Sequence, residues 1–208
     1  DIDKHLVSII MNCYNSDRFL KEAIDSVYAQ TYSSWEIIFW DNASTDHSAD
    51  IAQSYGDKVK YYLSPENTPL GEARNKALKK ATGKYVAFLD CDDLYLPNKL
   101  QSQIQLMDNN DYALCYGSAI IINEDGKEIR RVAVKNKSGY RFGMLLKHYE
   151  INMQSVIIRR SILAEEKINF ITHLKYNPDY NLFMTIASRY QVGVIKDCIV
   201  KYRVWGES

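Results

Sequence analysis

The chain carries no excess charge: 26 Lys and Arg are matched by 26 Asp and Glu. A net-neutral chain has no field to draw it onto nucleic acid or an anionic surface, so neither is expected as a partner. Proline occurs only four times, and there is no Pro-, Gly- or Ser-rich tract that reads as a linker or low-complexity segment. The four cysteines, Cys13, Cys91, Cys115 and Cys198, lie far apart and form no CxxC pair, which excludes the common zinc spacings and a secreted disulfide framework. No apolar run reaches membrane-spanning length, and no signal peptide is visible. These absences fit a cytoplasmic protein, one that can still visit the inner face of a membrane. The chain starts at Asp1 rather than at methionine, compatible with a piece of something longer.

With 208 residues there is room for one domain with a substantial core. Its first half alternates. Leu6 to Met11, Trp35 to Trp40, Val59 to Leu63 and Tyr85 to Leu89 are short apolar runs, predicted as buried strands. Between them Asp17 to Gln30, about His47 to Tyr55, and Gly71 to Ala81 have helical patterns, with Ser16 as N-cap of the first and Gly83 as C-cap glycine of the third. Pro97 to Met107 follows as a helix with Pro in its first turn. This order predicts an α/β fold with a mostly parallel sheet flanked by helices. The second half is irregular: a hairpin at Asn123 to Lys127, short helices at Gly139 to His148 and Ser161 to Glu166, a strand at Gln154 to Arg159, a helix at Asp179 to Arg189, and strands at Val192 to Ile195 and Cys198 to Val204. We expect a smaller mixed sheet there, within a single domain over 1–208. The regular half is about 1–110 and the irregular half about 111–208.

Ligands of parallel sheets bind beyond the carboxyl ends of the strands. Here the first, second and fourth strands run into Asn12-Cys13-Tyr14-Asn15-Ser16, Asp41-Asn42-Ala43-Ser44-Thr45-Asp46 and Asp90-Cys91-Asp92-Asp93. Three carboxylates within four residues repel one another unless a cation neutralises them. By itself the last cluster reads equally as a divalent-metal site or as a solvated acidic turn. Its place on a rim with two other polar turns favours the metal.

These segments, with Ala73-Arg74-Asn75 and the late runs Leu174 to Phe183 and Tyr202-Arg203, resemble the family 2 glycosyltransferases of the GT-A fold. The resemblance spans about residues 6 to 205 and implies inverting, hexosyl-type transfer from a nucleotide-sugar donor, a UDP-sugar by preference, to a glycan or lipid-linked acceptor. The resemblance further implies a place in cell-surface polysaccharide synthesis, with about 1–110 as the nucleotide-sugar-binding half and about 111–208 as the acceptor-side half. By the same resemblance Tyr14 stacks on the base, Asn12 and Asn15 bond base or ribose, and Asp41 accepts the base N–H. Arg74 meets the diphosphate or the acidic turn. Asp90 and Asp92 are the Asp-x-Asp pair, Asp92 ligating Mn²⁺ or Mg²⁺ and Asp90 touching ribose or the metal through water. Asp93 and Asp46 read as structural, Cys91 as a spectator. Asp179 matches the general base.

The chain departs from the family in three places. Pro178 stands where an acid usually precedes the base, the glycine of the loop before Ala73 is displaced to Gly71, and Trp205 stands where a histidine is frequent. The last argues against a metal or phosphate role at that position. Two other readings compete: a nucleotidyltransferase, which normally has a glycine-rich turn after its first strand, and a non-catalytic nucleotide-sugar-binding module.

Overall fold

The computed structural model describes residues 5–172 and 178–206. The expected motif residues Leu174 to Asn177 therefore lie outside the described residues. In the first half, β1 (Val7–Cys13), α1 (Asp17–Tyr28), β2 (Trp35–Asp41), α2 (Ser48–Gln53), β3 (Val59–Leu63), α3 (Leu70–Leu78) and β4 (Tyr85–Phe88) alternate as predicted. Strands β3, β2, β1 and β4 lie side by side and parallel. Alternate residues of β1 feed opposite faces of the sheet. Ile9 and Met11 pack with Leu20, Ile24 and Phe39, while Ile10 packs with Ile38, Phe88 and Phe183. A strand covered on both faces must be apolar throughout, which is why these runs lack polar alternation.

The second half continues the same sheet. β8 (Ile157–Arg159) pairs antiparallel with β4, and β6 (Leu114–Ile122) pairs antiparallel with β8. β7 (Glu128–Val132) returns from the hairpin along β6. β9 (Val192–Arg203) runs parallel to β6 and pairs with a two-residue strand, β5 (Leu94–Tyr95), which precedes α4 (Lys99–Asp108). The mixed part is thus joined to the parallel part through the β4–β8 pair. Two predicted strands at the end are one. Around Lys196 the β6–β9 register shifts, and the Lys196 ammonium donates to the carbonyls of Val134, Lys135 and Asn136. A polar break in the sequence is therefore a bulge inside one strand. The remaining helices are α5 (Phe142–Lys147), α6 (Arg160–Glu165) and α7 (Pro178–Arg189).

Two expected helix ends are made differently. Gly83 is not a left-handed cap: α3 ends at Leu78, and no positive φ occurs at Gly83. A Cβ there would stand 2.5 Å from the Leu6 carbonyl oxygen and 2.8 Å from the Ser8 nitrogen. The glycine allows the chain to enter β4 directly against β1, its N–H donating to Ser8 Oγ at 2.8 Å. Ser16 occupies the N-cap position of α1, but its hydroxyl donates to the Tyr14 carbonyl. Asp46 substitutes for it, accepting the N–H groups of both Asp17 and Ser48 at 3.0 Å. The structural role expected for Asp46 is thereby explained: one carboxylate serves the first turns of two helices.

Candidate functional site

Because β1, β2 and β4 are parallel, their polar turns share one rim. They are also bonded to each other. Asn15 Oδ1 accepts Thr45 N–H at 2.7 Å, and Ser44 Oγ accepts Asn15 N–H at 3.1 Å. Asn42 N–H donates to the Cys13 carbonyl at 2.8 Å, and the Cys91 thiol donates to the Asn12 carbonyl at 3.3 Å. Cys91 is a buried tie between turns rather than a group facing ligand.

Above this rim lies a cleft in two adjoining lobes. The first, about 310 Å³, is walled by Asn12, Tyr14, Asn42, Thr68, Pro69 and Leu70. Tyr14 is 52 % exposed, an aromatic face with no structural cover. Asn12 Nδ2 is buried beside this lobe without a partner among the described residues. Asp41 lies behind the wall, 1 % exposed. Its Oδ1 accepts Ser44 N–H and its Oδ2 the Tyr61 hydroxyl, each at 2.7 Å. Burial, then that same carboxylate, pushes the Tyr61 hydroxyl upward. Asp41 is thus bonded within the rim, whereas Asn12 and Tyr14 line this lobe and Asn15, though bonded to Thr45, lines the next.

The second lobe, about 260 Å³, is bounded by Asn12, Arg18, Arg74, Asp90, Asp92 and Trp205. Here the acidic turn divides its work. Asp90 Oδ1 pairs with the buried Arg74 guanidinium at 3.2 Å, and Oδ2 accepts Gln154 Nε2 at 2.6 Å. Gln154 Oε1 also accepts Asp90 N–H at 2.8 Å, clamping the residue from both ends. Arg74 stacks over Phe170, 5.5 Å from the ring centre. Arg74 is bonded to the acidic turn and also lines the lobe. Asp93 is buried and accepts Arg203 N–H at 2.7 Å. Desolvation, then the charges of Asp90 and Asp92, hold its carboxyl well above the usual range. It fastens the turn to β9. Arg203 is 3 % exposed and donates to the carbonyls of Asp92 and Glu124 and to the Glu22 carboxylate.

Asp90 and Asp92 both border this lobe, and Asp92 has the more capacity to spare. Its Oδ2 accepts the Trp205 indole N–H at 2.8 Å, and its Oδ1 accepts no hydrogen bond among the described residues. No three His, Cys, Asp or Glu side chains gather as a metal cage among the described residues. That donor set suits a hard cation such as Mg²⁺ or Mn²⁺ that takes one carboxylate and draws its other ligands from phosphates and water. It does not suit an all-protein site.

Asp179 stands in the first turn of α7, half-buried. It is not among the residues that line either lobe. The Tyr202 hydroxyl is pushed up by burial and then by the charges of Asp93, Asp90, Asp92 and Asp179. Burial, and then Asp179, also raises Tyr149, whose hydroxyl is buried without a partner among the described residues. The sequence reading missed Gln154 as a clamp and set Trp205 aside. A Gln ending a rim-bound segment was the visible signal for the first. For the second only the exchange of histidine for another N–H donor was available.

Comparison with known proteins follows this geometry. Residues 8–165 match Glycosyl transferase family 2. Over 206 residues the chain is 32 % identical to the UDP-Glc:alpha-D-GlcNAc-diphosphoundecaprenol beta-1,3-glucosyltransferase WfgD of Escherichia coli, covering 98 % of this chain and 79 % of that one. It is 36 % identical over 208 residues to an uncharacterized glycosyltransferase of Rickettsia prowazekii, covering 96 % of this chain and 64 % of that protein. Among solved structures it is similar to S. aureus TarS 1-349 in complex with UDP-GlcNAc, with TM-score 0.81 and 22 % identity over 97 % of this chain and 59 % of that one. It is also similar to the mannosyltransferase PcManGT from Pyrobaculum calidifontis in complex with GDP-Man and Mn2+, with TM-score 0.70 and 18 % identity over 97 % of this chain and 57 % of that one. The last two likenesses establish the GT-A fold that the sequence led us to expect. No helix among the described residues is long and apolar enough to cross a membrane. The chain is a glycosyltransferase and belongs to glycosyl transferase family 2.

Proposed function

We propose that the chain transfers a sugar, with inversion and with the help of a divalent cation, from a UDP-sugar to a lipid-linked or other glycan acceptor. The observation that carries this reading is the division of the acidic turn: Asp90 and Asp93 are bonded internally, and Asp92 keeps one carboxylate oxygen for a ligand. Tyr14 offers its open ring to the base, a flat surface with little entropy to lose. Asn12 offers its unpaired amide to base or ribose. Asn15 lines the neighbouring lobe, within reach of base or ribose, and Asp41, behind the wall, retains lone pairs for a base N–H. Mn²⁺ or Mg²⁺ held at Asp92 supplies positive charge for the departing nucleoside diphosphate.

Asp179 acts as general base. Its carboxylate takes the proton of the acceptor hydroxyl while that oxygen attacks the anomeric carbon, and the bond to the diphosphate breaks with its electron pair going to UDP. The lipid-linked acceptor is suggested by WfgD, whose name places its acceptor on diphosphoundecaprenol. Such an acceptor would bring the chain to the cytoplasmic face of a membrane. The test is turnover of UDP-sugars on a GlcNAc-diphosphate lipid with Mn²⁺, with the new linkage read by NMR. The reading predicts a β-linked product from an α-linked donor that disappears on chelation. An α-linked product, or turnover indifferent to chelation, contradicts it.

A further inference from the structure

The Trp205 indole is bonded to the acidic-turn residue that keeps a carboxylate oxygen free of hydrogen bonds among the described residues. It donates to Asp92 Oδ2 at 2.8 Å, although the two are 113 residues apart. The ring is seated edge-on against Phe19, with centroids 5.3 Å apart, and the Arg18 guanidinium lies 5.5 Å from its centre. Two residues earlier Arg203 is buried and fixed to the backbone of Asp92 and to Glu22, so the strand end carrying Trp205 cannot drift from the acidic turn. The other tryptophans, Trp35 and Trp40, are buried in the core, at 5 % and 8 % exposure, whereas Trp205 is 42 % exposed at the site.

A monodentate cation uses one carboxylate oxygen, and a donor on the other fixes the plane of the group and the direction of the free lone pairs. An indole N–H can only donate. It cannot ligate a metal, as an imidazole in its place would. We propose that Trp205 is the positioning residue of the metal site: it takes Asp92 Oδ2 so that Oδ1 is presented to the cation. The site would thereby trade a possible protein ligand for an orienting donor, leaving one more coordination position to phosphate or water. This inference rests on Asp92 being the cation ligand.

The test measures Mn²⁺ binding by electron paramagnetic resonance of the free ion, at saturating UDP, on the wild-type chain and on Trp205→Phe. Loss of a donor to a metal-binding side chain typically costs 10- to 100-fold in metal affinity. We therefore expect W205F to bind Mn²⁺ about tenfold more weakly, a loss that exceeds any change in its metal-free UDP affinity. Paramagnetic Mn²⁺ should quench tryptophan emission in the wild type and leave W205F emission nearly intact. W205F binding Mn²⁺ as tightly as the wild type, or more tightly because the indole had been competing for Oδ2, overturns the proposal. If the wild type itself binds no Mn²⁺ in the presence of UDP, it is the reading of Asp92 as ligand that falls.

Discussion

Lys99 offers a prediction whose size follows from burial alone. It opens α4 with its side chain fully buried, 0 % exposed, and no carboxylate among the described residues pairs with it. Its Nζ donates to Gln103 Oε1 at 2.7 Å and sits 4.2 Å from the Tyr95 ring centre. Desolvation drops its pKa from an ordinary 10.5 to about 7. Between those values the unfolded chain holds a proton that the folded chain has released. Folding stability therefore rises with pH across that window, by up to about 1.4 kcal/mol per pH unit. Over the whole window the gain is about 5 kcal/mol, and below pH 7, where both states are protonated, the cost of the buried charge stays level. Lys99→Met keeps the length and the contact with Tyr95 but cannot ionise. It leaves Gln103 Oε1 without its donor, a roughly constant loss of about 1–3 kcal/mol. Urea unfolding of both proteins from pH 6 to pH 10 separates the two effects. The variant is expected to gain on the wild type at pH 6 and to fall behind toward pH 10, the difference shifting by several kcal/mol. Tyrosines and cysteines that titrate in the same range are common to both chains and cancel. Parallel stability curves would refute the reasoning, because they would mean that Lys99 stays protonated in the folded core.

The Lys99–Gln103 pair also supports the site, since Gln103 Nε2 donates to the Ser155 carbonyl at 2.7 Å, next to the residue that clamps Asp90. Gln154→Ala should cost about 1–3 kcal/mol by leaving the Asp90 N–H and Oδ2 without partners, and should weaken UDP binding in calorimetry; unchanged binding would mean that Arg74 alone orients Asp90. Asp179→Asn should keep donor affinity while reducing transfer by a factor on the order of 10² to 10⁴, the usual worth of a positioned base. Normal transfer by that variant would assign the base elsewhere.

The parallel half of the fold was legible because its strands are buried on both faces. Four apolar runs bounded by polar turns leave little else for residues 6 to 89 to be, and parallel strands necessarily gather those turns on one rim. Tyr14, Asn12 and Asp92 stand on the cleft for that reason. What the sequence hid were features without a local period. Leu94–Tyr95 is too short a strand to show alternation, and Lys196 splits β9 in the sequence without splitting it in space. Gly83 looked like a helix cap because glycines often are, whereas its neighbour is a backbone 75 residues earlier, near Ser8. The same distance problem concealed Gln154 and Trp205, which meet Asp90 and Asp92 from 64 and 113 residues away. Asp90, Arg74 and Asp93 show the complementary lesson: residue type announced a charged site, but only the fold could say which charges are spent on one another.

The central claim is that Asp92 alone of the acidic turn meets a cation on which donor binding depends. Calorimetric titration of UDP into wild type and Asp92→Asn, each with Mn²⁺ and with chelator, tests it most directly. The substitution preserves shape and the Trp205 hydrogen-bond acceptor while removing the charge. We predict that Mn²⁺ strengthens UDP binding to the wild type and has no effect on the variant, whose affinity matches the chelated wild type. Equal strengthening by Mn²⁺ in both proteins would contradict the claim.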